Sequence, residues 1–210
     1  MEKLMKYYQL NKKFLLVELA RLLKRLTAPK IGIISLFLLT LYASGLAHAG
    51  PLEQKLIDTA FMGKVEIARS LIDQGADVNA RDESGNTVLL TAVRPYGTAM
   101  VKLLVDSGAD VNAAGALEDT PLISASRKEL PDIVRILLTA GADPNFARSE
   151  GSTALMEACI FGHSQVVELL VDAGADISAK DQFGFTPLAV AVKNNHTDIA
   201  NYLKEKGAIK

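Results

Sequence analysis

Cysteine is nearly missing from these 210 residues: Cys159 stands alone. One thiol excludes an intramolecular disulfide framework and any metal site built from clustered cysteines. Motifs that announce chemistry are missing as well. The chain has no glycine-rich phosphate loop, no nucleophile elbow and no paired-histidine zinc helix. Catalysis is therefore not expected, and neither a cofactor nor a metal is called for. A basic body is lacking too. The whole chain carries a formal net charge of −1, but its charge is unevenly placed. Residues 1–30 hold eight Lys/Arg against two acids, whereas residues 50–210 hold 15 against 22. An acidic body of this kind argues against long-range attraction to nucleic acid or to an anionic membrane surface.

Charge disappears altogether over residues 31–46, IGIISLFLLTLYASGL, which follow the basic stretch and run into AHAG. A positive segment, an apolar segment and a small-x-small site in that order describe a secretory signal peptide, with cleavage expected between Ala49 and Gly50. The apolar run is slightly short of the roughly 20 residues a spanning helix needs. The basic segment is longer than is usual in signals of about 15–30 residues. An uncleaved anchor, touching the membrane only through residues 31–49 and making the chain a membrane-anchored structural scaffold for an envelope protein or complex, is one alternative, and an acid-poor organelle presequence is another. No cysteine follows the apolar run to carry a lipid, and no twin arginine precedes it. Export through the general secretory route, to a periplasmic or secreted location, is the expectation. Residues 1–49 are thus set apart from residues 50–210.

What the remainder has in plenty is repetition. Gly-Ala-Asp plus an apolar residue recurs from Gly75, Gly108, Gly141 and Gly174, with a truncated copy, Gly207-Ala208-Ile209. The spacing is 33 residues each time, and Thr87, Thr120, Thr153 and Thr186 keep the same period. Two markers locked to one period mean stacked supersecondary units. The units are about 50–80, 81–113, 114–146, 147–179 and 180–210. The first lacks the threonine, having Gln54 at that phase.

The physics of one unit is readable. Thr186 can cap a first helix through its hydroxyl, and Pro187 suits the first helical position, where no amide hydrogen is needed. Leu188 with Ala191, Leu155 with Ala158 and Leu122 with Ala125 then point into the stack. A second helix begins near His163 or His196 and carries Val166, Val167, Leu169 and Leu170 in one copy, Ile133, Val134, Ile136 and Leu137 in another. In the first unit Leu52, Leu56 and Ile57, then Val65, Ile67, Ala68, Leu71 and Ile72, form the matching apolar faces. Gly174 and its counterparts supply a left-handed helix stop. Helices of eight to ten residues are too short to persist alone in water, so their stability comes from burial against the next unit.

The stretches TVLLTAV, TPLISAS, TALMEAC and TPLAVAV, with GHSQVVELLVDAGADI as the clearest second half, resemble the ankyrin repeat. The resemblance covers about residues 50–210. It implies an all-α solenoid of about five stacked helix-turn-helix units joined by short β-hairpin-like turns. No copy keeps the family's histidine after the leucine; Leu90, Ile123, Met156 and Ala189 stand there. Glu118 replaces the turn glycine present as Gly85, Gly151 and Gly184, which leaves the shape of that hairpin open. Pro95 and Pro131 fall between helices and mark a turn or a first helical residue.

His163 and His196 share one phase and are read as capping or turn residues rather than ligands. Cys159 shares the phase of Val93, Ser126 and Val192 and is read as a packed, unreactive thiol. Asp77, Asp110, Asp143 and Asp176 occur one per unit, without the clustered oxygens of a calcium loop. The resemblance further implies a monomeric, non-catalytic module that binds a protein partner through its concave face, the face of turn tips and exposed first-helix positions. On this chain those positions include Glu83 and Asn86 at one tip, and Arg94, Tyr96, Arg127, Met156, Glu157, Ile160 and Phe161 on first helices. Phe183 and Phe185 at the last tip, near Ile160 and Phe161, make the sharpest candidate, because aromatic residues are favoured interface anchors. Packing along the hairpin is the competing role for both.

Overall fold

A computed structural model describes residues 50–208. The leader expected over residues 1–49, Ala49 of the expected cleavage site included, lies outside the described residues. Among those described, ten helices run in five pairs: α1 (Pro51–Met62) with α2 (Val65–Asp73), α3 (Val88–Ala92) with α4 (Thr98–Asp106), α5 (Pro121–Arg127) with α6 (Pro131–Thr139), α7 (Ala154–Phe161) with α8 (Ser164–Asp172), and α9 (Pro187–Lys193) with α10 (Thr197–Glu205). None is long and apolar enough to cross a membrane. Each helix packs substantially on its own partner and on the same helix of the next unit. The result is a two-layer array with first helices in one layer and second helices in the other.

Local chemistry starts and stops each helix. Thr87, Thr120, Thr153 and Thr186 accept hydrogen bonds from the backbone N–H three residues on, at 3.1, 3.2, 3.3 and 3.2 Å. At the far end of the second helices the Gly-Ala-Asp tetrad works residue by residue. Gly75, Gly108, Gly141 and Gly174 are left-handed, at φ of 93°, 88°, 87° and 86°. A Cβ there would meet nothing within 4 Å, so the backbone angle and not space requires glycine. The following alanine donates back into the helix, as Ala142 does to the Leu137 carbonyl at 2.9 Å, which completes a Schellman stop. That alanine is also buried. The aspartate then accepts from the backbone two residues on, as Asp110 does from Asn112 at 2.9 Å.

A side-chain ladder ties these loops together. The Asn112 amide donates to the Gly141 carbonyl at 3.2 Å and its oxygen accepts from the Asp143 N–H at 2.8 Å. Asn79 and Asn145 repeat both bonds one unit earlier and one unit later. At the next position stands Ser178, whose hydroxyl turns back to Asp176 at 2.6 Å.

The core is the continuous stripe between the layers. Leu122, Leu155 and Leu188, Ala125, Ala158 and Ala191, and Ile133, Val134, Val166 and Val167 are buried. Each buried Leu, Ile or Val contributes roughly 1.5–3 kcal/mol by area. One expected core residue departs. Ile67 is half exposed, whereas Met100, Ile133, Val166 and Ile199 at its phase are buried. Its helix belongs to the first described pair and has a neighbouring unit on one side only among the described residues.

Glu118 does not change its hairpin. It sits at φ 58° where the other tips have glycine, and its N–H meets the Gly115 carbonyl at 3.0 Å, as Gly85 meets Asp82 and Gly151 meets Arg148. Pro95 lies in the turn after α3, and Pro131 is the first residue of α6. His163 and His196 do stabilise turns, but across units: their Nε2 atoms lie 3.1 Å from the carbonyls of Arg127 and Ile160. Cys159 is wholly buried, and burial pushes its thiol up to about 12.

Candidate functional site

Between consecutive units the chain projects a finger, and the four fingers align residue for residue. Their tips carry Ser84, Leu117, Glu150 and Phe183 at one phase. Each is closed by the same backbone bond, from Asp82 to Asn86, Gly115 to Asp119, Arg148 to Ser152 and Asp181 to Phe185, at 2.9–3.1 Å. A second row lines the C-terminal ends of the first helices: Phe61, Arg94, Arg127, Ile160 and Lys193 share one phase. The residue two positions later is left-handed in every unit, as Gly63, Tyr96, Glu129, Gly162 and Asn195. A tyrosine in that conformation is uncommon, and Tyr96 is fully exposed there.

The aromatic pair divides. Phe183 is 75% exposed, while Phe185 is half-buried against the core with the Lys193 ammonium 4.6 Å from its ring centre. Ile160 and Phe161 remain exposed at the end of α7, Phe161 with its ring stacked 5.9 Å from His163. Glu83 is exposed, and Asn86 is half-buried against Asp82.

Two candidates are corrected. Met156 is 1% exposed: the third residue after its capping threonine faces the core, not the finger side. Glu157 is 6% exposed because it is consumed in a ring of ion pairs. Arg148 donates to Glu157 at 2.8 Å and, through Nε, to Asp119 at 2.8 Å. Arg127 pairs with Asp119 and approaches Glu157 at 3.9 Å. Ser152 adds a bond to Glu157 at 3.0 Å. These bonds and charges hold the Arg148 guanidinium above its ordinary value although burial opposes them. The fingers themselves are joined here, since Glu118 accepts from the Ser149 N–H at 2.6 Å and from its hydroxyl. Those two bonds keep the Glu118 carboxyl below its usual range. Arg127, proposed as a contact, is thus partly engaged within the chain.

One junction earlier the same positions are small. Thr91 and Ser124 stand at the phase of Glu157, and Gly115 at the phase of Arg148. A groove of about 330 Å³ results, lined by Phe61, Asp82, Asn86, Leu90, Thr91, Leu117, Asp119, Ser124, Arg127 and Lys128. Leu117 is 80% exposed and Phe61 59%. The Arg94 guanidinium lies 4.0 Å over the Phe61 ring. Phe61, Leu117 and Lys128 are among the lining residues that the sequence did not single out. The period could have found all three, because Leu117 shares the phase of Phe183, Phe61 that of Arg94 and Arg127, and Lys128 that of Phe161.

A family model described as ankyrin repeats, three copies, matches residues 56–148 and again residues 138–210. The chain belongs to the ankyrin-repeat family. Ankyrin repeats are generally protein–protein interaction modules, and the family is typically non-enzymatic. No curated protein matches the chain at a significant level.

Proposed function

We propose that the protein is an exported, monomeric, non-catalytic binding module that holds a partner protein across the concave face made by its finger tips and first-helix ends. One observation supports this most directly. The scaffold phases are constant from unit to unit, while the tip and helix-end phases change and leave Leu117, Phe183, Phe161 and Phe61 exposed. Exposed apolar and aromatic side chains held on rigid elements are the usual anchors of an interface. Export is supported by the basic, apolar and small-x-small order of residues 1–49.

Affinity capture with the full chain tests the binding reading. Phe183→Ala is expected to weaken retention of the captured protein with no change in helicity. Capture that is indifferent to every exposed finger-face substitution would refute the reading. N-terminal sequencing of the native protein tests export. A chain beginning at Gly50 is expected, whereas a membrane-bound chain that keeps Met1 would replace export by an anchored scaffold.

A further inference from the structure

We infer that the groove between the second and third units recognises a partner segment in which an apolar side chain neighbours a carboxylate. The apolar side chain rests on Phe61, Leu90 and Leu117, and the carboxylate meets the cations of the lining, Arg127 and Lys128, with Arg94 beside them over the Phe61 ring. This deepens the protein-binding reading above and depends on it.

Shape is the first ground. At about 330 Å³ the groove lies at the small end of ligand-sized clefts, which span roughly 300–1,000 Å³. Thr91 and Ser124, which line it, are small residues at the phase that Glu157 fills at the next junction. Its apolar part is already exposed to water, Leu117 most of all.

Charge is the second ground. Lys128 donates to the Val93 carbonyl at 2.7 Å, close to Arg127 and Arg94. Among the described residues neither Lys128 nor Arg94 has a carboxylate within 4 Å, and Asp119 is shared between Arg127 and Arg148. Partial burial, then the neighbouring arginines, push the Lys128 ammonium below its ordinary value against the pull of Asp119. The other acid in the groove, Asp82, is engaged by the N–H groups of Ser84 and Asn86 at 2.8 Å each. Both acids of the lining, Asp82 and Asp119, are thus engaged, and Lys128 in the groove and Arg94 beside it are left without a carboxylate partner among the described residues. An incoming carboxylate supplies what is missing, and a basic segment would be repelled.

A displayed library of random heptapeptides, panned on the full chain, tests the inference. Enriched peptides should share an apolar residue within two positions of Asp or Glu. A selected peptide should bind Leu117→Ala and Lys128→Glu at least tenfold more weakly. Neither change can unfold the array through its core, since Leu117 is exposed and Lys128 lies at a helix end. Ser124→Glu, which places a carboxylate near Arg94 as Glu157 lies near Arg127, should block the peptide from within. Absence of enrichment, enrichment of basic sequences, or equal binding to all three variants would overturn the inference. So would an oligouridylate bound in the peptides' place and lost in Lys128→Glu. Partner capture that Phe183→Ala weakens while Leu117→Ala and Lys128→Glu do not would remove the groove and leave the protein-binding reading standing.

Discussion

The second and third units meet across an open groove; the third and fourth meet across a closed ring of ion pairs. Both junctions use the same capping threonines, the same left-handed glycines and the same asparagine bridge. What separates them is the ring's own residues, Arg148 at a phase otherwise held by Asp82, Gly115 and Asp181, Glu157 at a phase otherwise held by Thr91, Ser124 and Val190, and Asp119 at a phase otherwise held by Asn86, Ser152 and Phe185, together with Glu118 in place of a turn glycine. A repeat scaffold can therefore change a binding surface into an internal strut without altering a single helix boundary. The exchange has a thermodynamic asymmetry. A buried ion pair is a weak source of net stability, but removing one member leaves the others charged and unsolvated.

That asymmetry sets the largest expected effect. Arg148→Ala should destabilise the chain by about 3–5 kcal/mol, read from urea unfolding, because Asp119 and Glu157 lose their shared cation. A loss under about 1 kcal/mol would mean that water already relieves the ring, and the contrast between junctions would collapse. Next come two of the bridging asparagines. Asn112→Ala acts at the open junction and Asn145→Ala at the closed one, and each removes two inter-unit hydrogen bonds. Each should cost about 1–2 kcal/mol. Equal losses would confine the difference between junctions to the finger side, whereas unequal ones would show that the loops share in it.

Smaller again is Ser126→Ala. The Ser126 hydroxyl is fully buried without a hydrogen-bond partner, so its removal should raise the unfolding free energy by up to about 1 kcal/mol. The smallest effect concerns its counterpart one unit later. With its thiol held up at about 12, Cys159 carries almost no thiolate at neutral pH. Iodoacetamide should leave it untouched in the native chain at pH 8 and alkylate it in urea. Fast labelling of native protein would show that α7 opens readily.

The scaffold was legible because it rests on local rules that repeat. A threonine cap, a left-handed glycine and an apolar face each leave a mark at a fixed phase, and five copies multiply the signal. The finger face was only half legible, since its residues are those that escape the period. Met156 and Glu157 illustrate the limit. Both follow a capping threonine by three and four residues, and sequence cannot tell whether such a position faces the fingers or the core until the neighbouring unit is placed. Glu157 stands at a phase that is buried as Ser124 and Val190 too, and Arg148 from its own finger and Arg127 from the previous helix supply the counter-charge that lets an acid sit there. Phe183 and Phe185 show the same limit within one turn, where alternate residues of a tight finger point to water and to the core. The asparagine ladder was visible as VNA, VNA and PNF at constant spacing, yet its partners are 29 and 31 residues away and cannot be read locally.

The replacement of that ladder by Ser178 bears on where the molecule first comes apart. Three consecutive junctions are laced by an asparagine; the next has instead Ser164 with Asp198 and Lys206 with Asp172 between α8 and α10, besides the His196 bond to the Ile160 carbonyl and the Gln182 N–H bond to the Glu150 carbonyl. Units in a linear array open from whichever boundary is coupled least, and the rest can stay folded meanwhile. Amide protons of α10 should therefore exchange with solvent well before those of α6, and limited proteolysis should release the last pair first.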